Sequence, residues 1–193
     1  MLTPCPGCGA LFPPHDGPTH RYIGASAGCW ALFNAAVIGG HADANDLISA
    51  SRVPGSVVQI PAVSASASFD ALLGDAYGVQ HHGGDSPQAL QSVACHLLNI
   101  HGIVSGQTSR PGWALRRAVR IRGVFHKLQP PALGSALTIR HLFPGGGVST
   151  AVTPRHYVLS VYSVWMALHR PTVERWYERY VVPDHPSVAV GDT

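Results

Sequence analysis

The stretch from Ser86 to Ser109 constrains the fold most, because it contains no Asp, Glu, Lys or Arg. Ser86 can cap a helix, Pro87 suits the first helical position, and apolar residues recur at helical intervals to about Val104. A helix without charged side chains has no charged face to turn toward water. We therefore expect it to lie at the centre of the protein, covered on most sides by other elements.

Further helical patterns flank this central segment. They predict helices at about 26–38, 68–82, 112–122 and 154–169, a last one beginning at Pro171, and a short helical element after residue 129. The chain shows neither an internal repeat nor an alternation of strands and helices. The predicted fold class is all-α, with about five or six helices in an irregular bundle and an N-terminal loop resembling a zinc knuckle.

The length of 193 residues fits a single domain, 1–193. Residues 1–25 are rich in Pro and Gly and are expected to form a metal-binding loop before a helical body at 26–182. Residues 41–68 combine a short β-prone run with Ala and Ser, which predicts a loop, disordered in part or whole. Residues 183–193 are expected to be a tail.

The composition limits the classes of partner. Only 12% of the residues are charged, about half the usual share, and 46% are hydrophobic, which favours a protein partner, such as a second copy of the chain, or an unusually apolar helical core. A net charge of +3 does not indicate nucleic-acid binding, and the basic stretch 116–127 is typical of a solvated helix face. With no signal-peptide pattern and no long apolar run, we expect a cytoplasmic protein without a membrane span.

The loop at 1–25 contains a pair of cysteines in a Pro-Gly turn. Cys5 and Cys8 have the spacing of a zinc knuckle, which supplies two ligands of a tetrahedral site. His15, His20 and Cys29 are the candidates for the remaining ligands. We select His20 and Cys29, because the first turn of a helix favours a thiolate at Cys29. The predicted site is a structural Zn²⁺ bound by Cys5, Cys8, His20 and Cys29, joining the loop to the first helix.

Other interpretations of the cysteines remain open at this point. A redox dithiol is one, although no βαβ pattern surrounds the motif, and unpaired thiols are another. For Cys95 and His101, on the uncharged helix, core packing is the simpler interpretation.

The helices at 68–82 and 86–104 are expected to form a hairpin with a second candidate site. In an antiparallel hairpin, His96 lies level with residues 70–75 and can meet Asp70 or Asp75. A carboxylate that orients a histidine can make it a general base or half of a metal site. The candidate catalytic residues are Asp75, His81 and His96. The alternative is a buried Asp–His hydrogen bond that only stabilises the hairpin.

Several motifs of the chain resemble an uncharacterised bacterial family, a domain of unknown function. They are CPGCG, DGPTHRYIGASAGCW, DAYGVQHHGG and QSVACHL. The family pattern contains the residues matching Cys5, Cys8, His20 and Cys29, and it implies no activity. This chain departs from the pattern with Asp70 in place of a histidine and with HHG in place of HPG.

Two functions follow as hypotheses. The first is a zinc-binding helical protein, with a structural metal, that acts as a binding or scaffold protein. The second is a metal-dependent, hydrolase-like enzyme that uses the hairpin site.

Overall fold

The computed structural model describes residues 1–38, 44–53, 69–110, 112–120, 124–143 and 152–182. Two short strands, β1 (Thr3–Pro4) and β2 (Leu11–Phe12), pair antiparallel. The helices are α1 (Ala27–Ile38), α2 (Ala44–Ala50), α3 (Leu73–Gln80), α4 (Pro87–Val104), α5 (Trp113–Ala118) and α6 (Pro154–Tyr180). Two 3₁₀ turns lie at Asp70–Leu72 and Ile139–Leu142. The all-α prediction is confirmed, with six helices in the described part of the chain.

Helix α4 is the central element, as its lack of charge predicts. The Ser86 hydroxyl accepts a hydrogen bond from the backbone N–H of Ala89, and Pro87 occupies the first turn. The helix packs against α3, α5 and α6. Leu97, Leu98 and nine further residues of this helix are buried, so its stability comes from burial of apolar surface.

Helix α6 corrects the expectation of two separate helices, because it continues through Pro171. Proline lacks the N–H that would bond to the carbonyl of Ala167. Both residues lie on the exposed side of the helix, so water can satisfy that carbonyl. On the opposite side, Val173 and Trp176 are buried in the core, and their packing stabilises the helix beyond the proline.

Helix α2 corrects the expectation of a loop at 41–68. Asp46 lies in its first turn, where a carboxylate interacts favourably with the helix dipole. Leu47 is buried, and α2 packs against α1. Gly28 of α1 permits this approach, because an ideal Cβ there would lie 3.3 Å from Leu47 Cδ1. Residues 39–43 and 54–68, like the predicted tail 183–193, lie outside the described residues.

The N-terminal segment is attached to the helical body by backbone pairing at two places. Leu11 forms a β-bridge with Arg52, immediately after α2. Ile23 forms another with His82, immediately after α3, and the N–H of Gly24 donates to the carbonyl of His81. The second bridge places the end of α3 beside the cysteine-bearing loop.

None of the described helices is long and apolar enough to span a bilayer.

The helix predicted at 112–122 is shorter than expected and ends at Ala118. The segment predicted at 68–82 consists of the first 3₁₀ turn followed by α3. The second 3₁₀ turn agrees with the short helical element expected after residue 129.

Candidate metal centre and a neighbouring groove

Four potential metal ligands converge where the N-terminal loop, α1 and the end of α3 meet. The sulfur atoms of Cys5, Cys8 and Cys29 and a ring nitrogen of His81 lie within 4.8 Å of one another. All four residues are buried. The ligand atoms of this Cys₃His cluster are close enough together to hold one metal ion. The structure thus supports a metal site that includes the CxxC motif.

The spacing inside the cluster suits ligands that share one ion. The Sγ atoms of Cys8 and Cys29 are 3.9 Å apart, well beyond the disulfide bond length of about 2.05 Å. Sγ of Cys29 lies 3.3 Å from Nε2 of His81. Cys5, Cys8 and Cys29 are all free thiols.

Hydrogen bonds around the cluster determine how its ligands point. Nδ1 of His81 lies 2.9 Å from the carbonyl oxygen of Tyr77, so the proton is on Nδ1 and the lone pair of Nε2 faces the sulfurs. The Tyr77 hydroxyl donates to Sγ of Cys29 at 3.4 Å, and the N–H of Ser26 donates to Sγ of Cys5 at 3.4 Å. These contacts orient the imidazole and favour negative charge on sulfur.

The three thiols influence one another electrostatically. Hydrogen bonds from Cys29 and Cys8 hold the pKa of Cys5 well below its usual range. Burial raises the pKa of Cys29, and the neighbouring sulfurs raise it further. Burial and the neighbouring sulfurs thus oppose the ionisation of all three thiols together, and a bound cation would favour it. Burial also raises the pKa of Tyr77, so its hydroxyl remains protonated and able to donate.

Gly7 brings the CxxC turn against His81. An ideal Cβ on Gly7 would lie 2.5 Å from Cδ2 and 2.8 Å from Cα of His81, distances that real Cβ atoms do not adopt. The turn can therefore approach the histidine only if residue 7 has no side chain. The glycine between the two knuckle cysteines is thus a packing requirement of the cluster.

His20, predicted as the fourth ligand, lies outside the cluster, and His81 occupies that position. The side chain of His20 is exposed, with its ring 5.4 Å from the ring of Trp30. Its Nδ1 accepts a hydrogen bond from the N–H of Tyr22. The physical reason is the backbone pairing of residues 22–24 with 81–83, which places the later histidine over the sulfurs.

A second constellation lies between α3 and α4. Nδ1 of His96 is 2.6 Å from Oδ1 of Asp75, and Nδ2 of Asn99 is 2.6 Å from Oδ2 of the same carboxylate. Oδ1 of Asn99 accepts from the N–H of Gly112. The predicted meeting of His96 with Asp70 or Asp75 thus occurs at Asp75, whereas Asp70 lies exposed in the first 3₁₀ turn.

The predicted catalytic set is divided between two places. His81 belongs to the cysteine cluster, whereas Asp75 and His96 form a separate pair. Asn99 was not singled out from the sequence, although it stands three residues after His96 and so shares its helix face.

The Asp75–His96 pair borders a groove with a volume of about 760 Å³. The groove runs between the N-terminal loop, α1, α3, α4 and the start of α5. Four aromatic side chains line it: Tyr22, Trp30, Phe33 and Tyr77. Tyr77 therefore belongs to both places, since it is one of the residues that line the groove and its hydroxyl meets Cys29.

Cys95 and His101 are core residues, as expected from their place on the uncharged helix. Cys95 is buried, and burial raises its pKa to about 12. His101 is buried with Nδ1 2.8 Å from the hydroxyl oxygen of Tyr162.

No protein-family model, curated protein or solved structure shows significant similarity to the chain.

Proposed function

We propose that the protein is a zinc-binding helical protein in which the Cys₃His cluster holds a structural Zn²⁺. The convergence of Cys5, Cys8, Cys29 and His81 within 4.8 Å of one another is the observation that carries the proposal. Cys₃His is a common ligand set of structural zinc sites. In these sites four protein ligands close the coordination sphere, which leaves no position for water or substrate.

The separations between the ligand atoms support zinc. With Zn–S of about 2.3 Å and Zn–N of about 2.0–2.1 Å, a tetrahedral site has S···S edges near 3.8 Å and S···N edges near 3.5 Å. The corresponding separations are 3.9 Å between Cys8 and Cys29 and 3.3 Å between Cys29 and His81. Zinc binding therefore requires only small movements of these side chains.

The role of the ion would be to join the N-terminal loop to the helical body. Its ligands come from the CxxC turn, the first turn of α1 and the end of α3, which are far apart in sequence. Because an unfolded chain offers no preformed site, the binding energy of the ion would contribute to folding. Free thiols in the cluster support a reducing compartment such as the cytoplasm, and the low charge supports a role in binding a partner.

Elemental analysis of protein purified without added metal tests the zinc proposal. We expect one zinc per chain in the wild type. Cys5→Ser and His81→Ala should lose most of it, whereas His20→Ala should retain it. Removal of the ion by a chelator should lower the thermal midpoint, and added zinc should restore it.

Two results would contradict this proposal. One is wild-type protein that is folded but free of metal. The other is zinc that persists in His81→Ala and disappears in His20→Ala, which would restore His20 as the ligand and remove His81.

The Asp75–His96 contact favours a second candidate function, general-base catalysis of hydrolysis in the groove. Since the carboxylate can only accept, Nδ1 of His96 donates to it, and Nε2 is left with a lone pair. Nε2 would take a proton from water as the water oxygen bonds to the acyl carbon of an ester. It would return that proton to the leaving alcohol as the ester bond breaks.

Hydrolysis of 4-nitrophenyl acetate tests this second function. His96→Gln should remove most of the activity, and His15→Gln, which changes an exposed loop histidine, should leave it unchanged. The zinc content should be the same in all three proteins, because neither residue belongs to the cluster. Equal rates for the wild type and His96→Gln would contradict an acid–base role for His96.

A further inference from the structure

We propose that the groove beside His96 binds an uncharged small molecule that contains an aromatic ring and an O–H or N–H group. The ring would pack against the aromatic wall, and the donor would hydrogen-bond to Nε2 of His96. This inference requires neither the zinc ion nor a catalytic step, so it can fail or succeed independently of both.

The aromatic wall supports a ring-containing ligand. The rings of Trp30 and Phe33 have centroids 5.4 Å apart at an interplanar angle of 28°, and those of Phe33 and Tyr77 are 4.0 Å apart at 20°. The three residues belong to the wall of the groove, and neighbouring rings in the series are stacked. Aromatic surfaces of this kind favour flat ligands, which can add to the stack or meet ring edges.

The charges around the groove support an uncharged ligand. Among the described residues that line it, Asp75 is the sole carboxylate, and none is Lys or Arg. Both oxygens of Asp75 already accept hydrogen bonds, from His96 and Asn99. An anion would find no Lys or Arg partner among these residues, and a cation would compete with those two donors for Asp75.

His96 supplies the acceptor. Its side chain is 27% exposed, and no described residue provides a hydrogen-bond partner for Nε2. Nδ1 is held by Asp75, which itself is fixed by Asn99, so the ring cannot turn without breaking a buried contact. A ligand donor therefore meets a preoriented lone pair and loses little entropy in ordering the protein.

Two glycines of α3 leave room for such a ligand. An ideal Cβ on Gly74 would meet nothing within 4 Å, and one on Gly78 would lie 3.3 Å from Nε2 of His96. A side chain at either position would occupy space that the groove now leaves open. The volume of about 760 Å³ is in the range of small-molecule sites, roughly 300–1,000 Å³.

Binding of four matched fragments, followed by NMR chemical-shift changes, tests the inference. Phenol provides a ring and a donor, anisole replaces the donor hydrogen with methyl, and benzoate and benzylammonium carry charges. We expect phenol to bind most tightly, by roughly two- to tenfold over anisole, the share of one hydrogen bond. The indole signal of Trp30 should shift, and both charged fragments should bind more weakly than anisole.

Two variants assign the binding to this groove. Gly74→Leu fills open space on a helix, so it should fold normally and weaken both phenol and anisole. His96→Leu should remove the preference for phenol while anisole still binds, and His15→Gln should behave as the wild type. The inference is overturned if no fragment binds at millimolar concentration, if anisole equals phenol, or if Gly74→Leu binds both fragments like the wild type.

Discussion

The hydroxyl of Tyr77 lies 3.4 Å from the Sγ atom of Cys29, and Tyr77 is also one of the residues that line the neighbouring groove. One side chain thus contacts both the candidate metal centre and the candidate ligand site. The same ring stacks on His81, with centroids 3.9 Å apart at 28°. We therefore expect a substitution in the cluster or in the groove to affect the other site through the position of Tyr77.

Tyr77→Phe should weaken zinc binding while leaving the groove intact. The substitution keeps the ring and removes the donor to the Cys29 sulfur, and loss of such outer contacts commonly costs about 10–100-fold in metal affinity. Competition with a chelator measures the affinity. Tyr22→Phe is the matched control, since Tyr22 lines the groove but does not contact the cluster, and it should retain the wild-type affinity.

Gly7→Ala should destabilise the protein by forcing the CxxC turn away from His81. The added methyl would lie 2.5–2.8 Å from atoms of His81, and overpacking of this kind typically costs about 1–3 kcal/mol. Urea unfolding measures the change. Gly74→Ala adds a methyl that meets nothing, and helix propensity should make it as stable as the wild type or more so. Equal stability of the two variants would contradict the prediction, because it would mean that a methyl group at residue 7 fits beside His81.

Pro171→Ala should stabilise the protein by about 1–3 kcal/mol, because proline in a helix interior costs up to about 3 kcal/mol relative to alanine. The alanine N–H can bond to the carbonyl of Ala167, which now lacks its helical partner. Pro154→Ala, at the first position of the same helix, is the control and should not stabilise, because proline suits that position. Thermal unfolding would contradict the prediction if Pro171→Ala lowered the midpoint.

Asn99→Ala should destabilise the hairpin of α3 and α4. It leaves Oδ2 of buried Asp75 and the N–H of half-buried Gly112 without their described partners, and an unsatisfied buried group costs about 1–3 kcal/mol. Gln88→Ala, on the same helix and exposed, should change stability little. Denaturant unfolding measures both, and a neutral Asn99→Ala would show that water replaces the amide.

The stability of the protein should fall on mild acidification, in part through His101. Burial lowers the pKa of His101 from its ordinary value of 6.5, and Glu174 and Arg170 have smaller, opposing effects. The unfolded chain therefore binds a proton more readily than the folded one. This contribution is fully present above pH 6.5 and is lost as the pH falls through the lower folded pKa.

His101→Gln tests that contribution, because glutamine can still hydrogen-bond to Tyr162 but does not titrate. The free energy of unfolding, measured from about pH 7 to about pH 5, should decline less steeply in the variant than in the wild type. Parallel slopes would mean that other groups account for the whole acid sensitivity. Both proteins are measured with the same content of bound metal, so that any loss of metal in acid affects them equally.

Local interactions explain the parts of the fold that could be predicted from the sequence. The cap at Ser86, the proline at 87 and the uncharged face of α4 act within a few residues of one another. Thr153 and Pro154 likewise begin α6 as expected. The approach of His96 to Asp75 was also predictable, because a short hairpin turn leaves few alternative registers.

The corrected elements depend on contacts between distant parts of the chain. The seven-residue helix α2 is too short to be stable alone, and it forms because Leu47 packs against α1. Helix α6 passes Pro171 because buried residues beyond it outweigh one missing hydrogen bond. The local sequence around α2 and around Pro171 does not show which distant residues pack there, so neither feature could be predicted from it.

The sequence by itself determined a helical body around an uncharged central helix and a CxxC turn with the spacing of two metal ligands, because caps, periodicity and the CxxC turn are local. Only the tertiary structure decided that His81, 52 residues after Cys29, completes the cluster in place of the nearer His20. The physical reason is backbone pairing of residues 22–24 with 81–83, together with the close fit of Gly7 on His81. Nearness along the chain does not determine nearness in space once such pairing is possible.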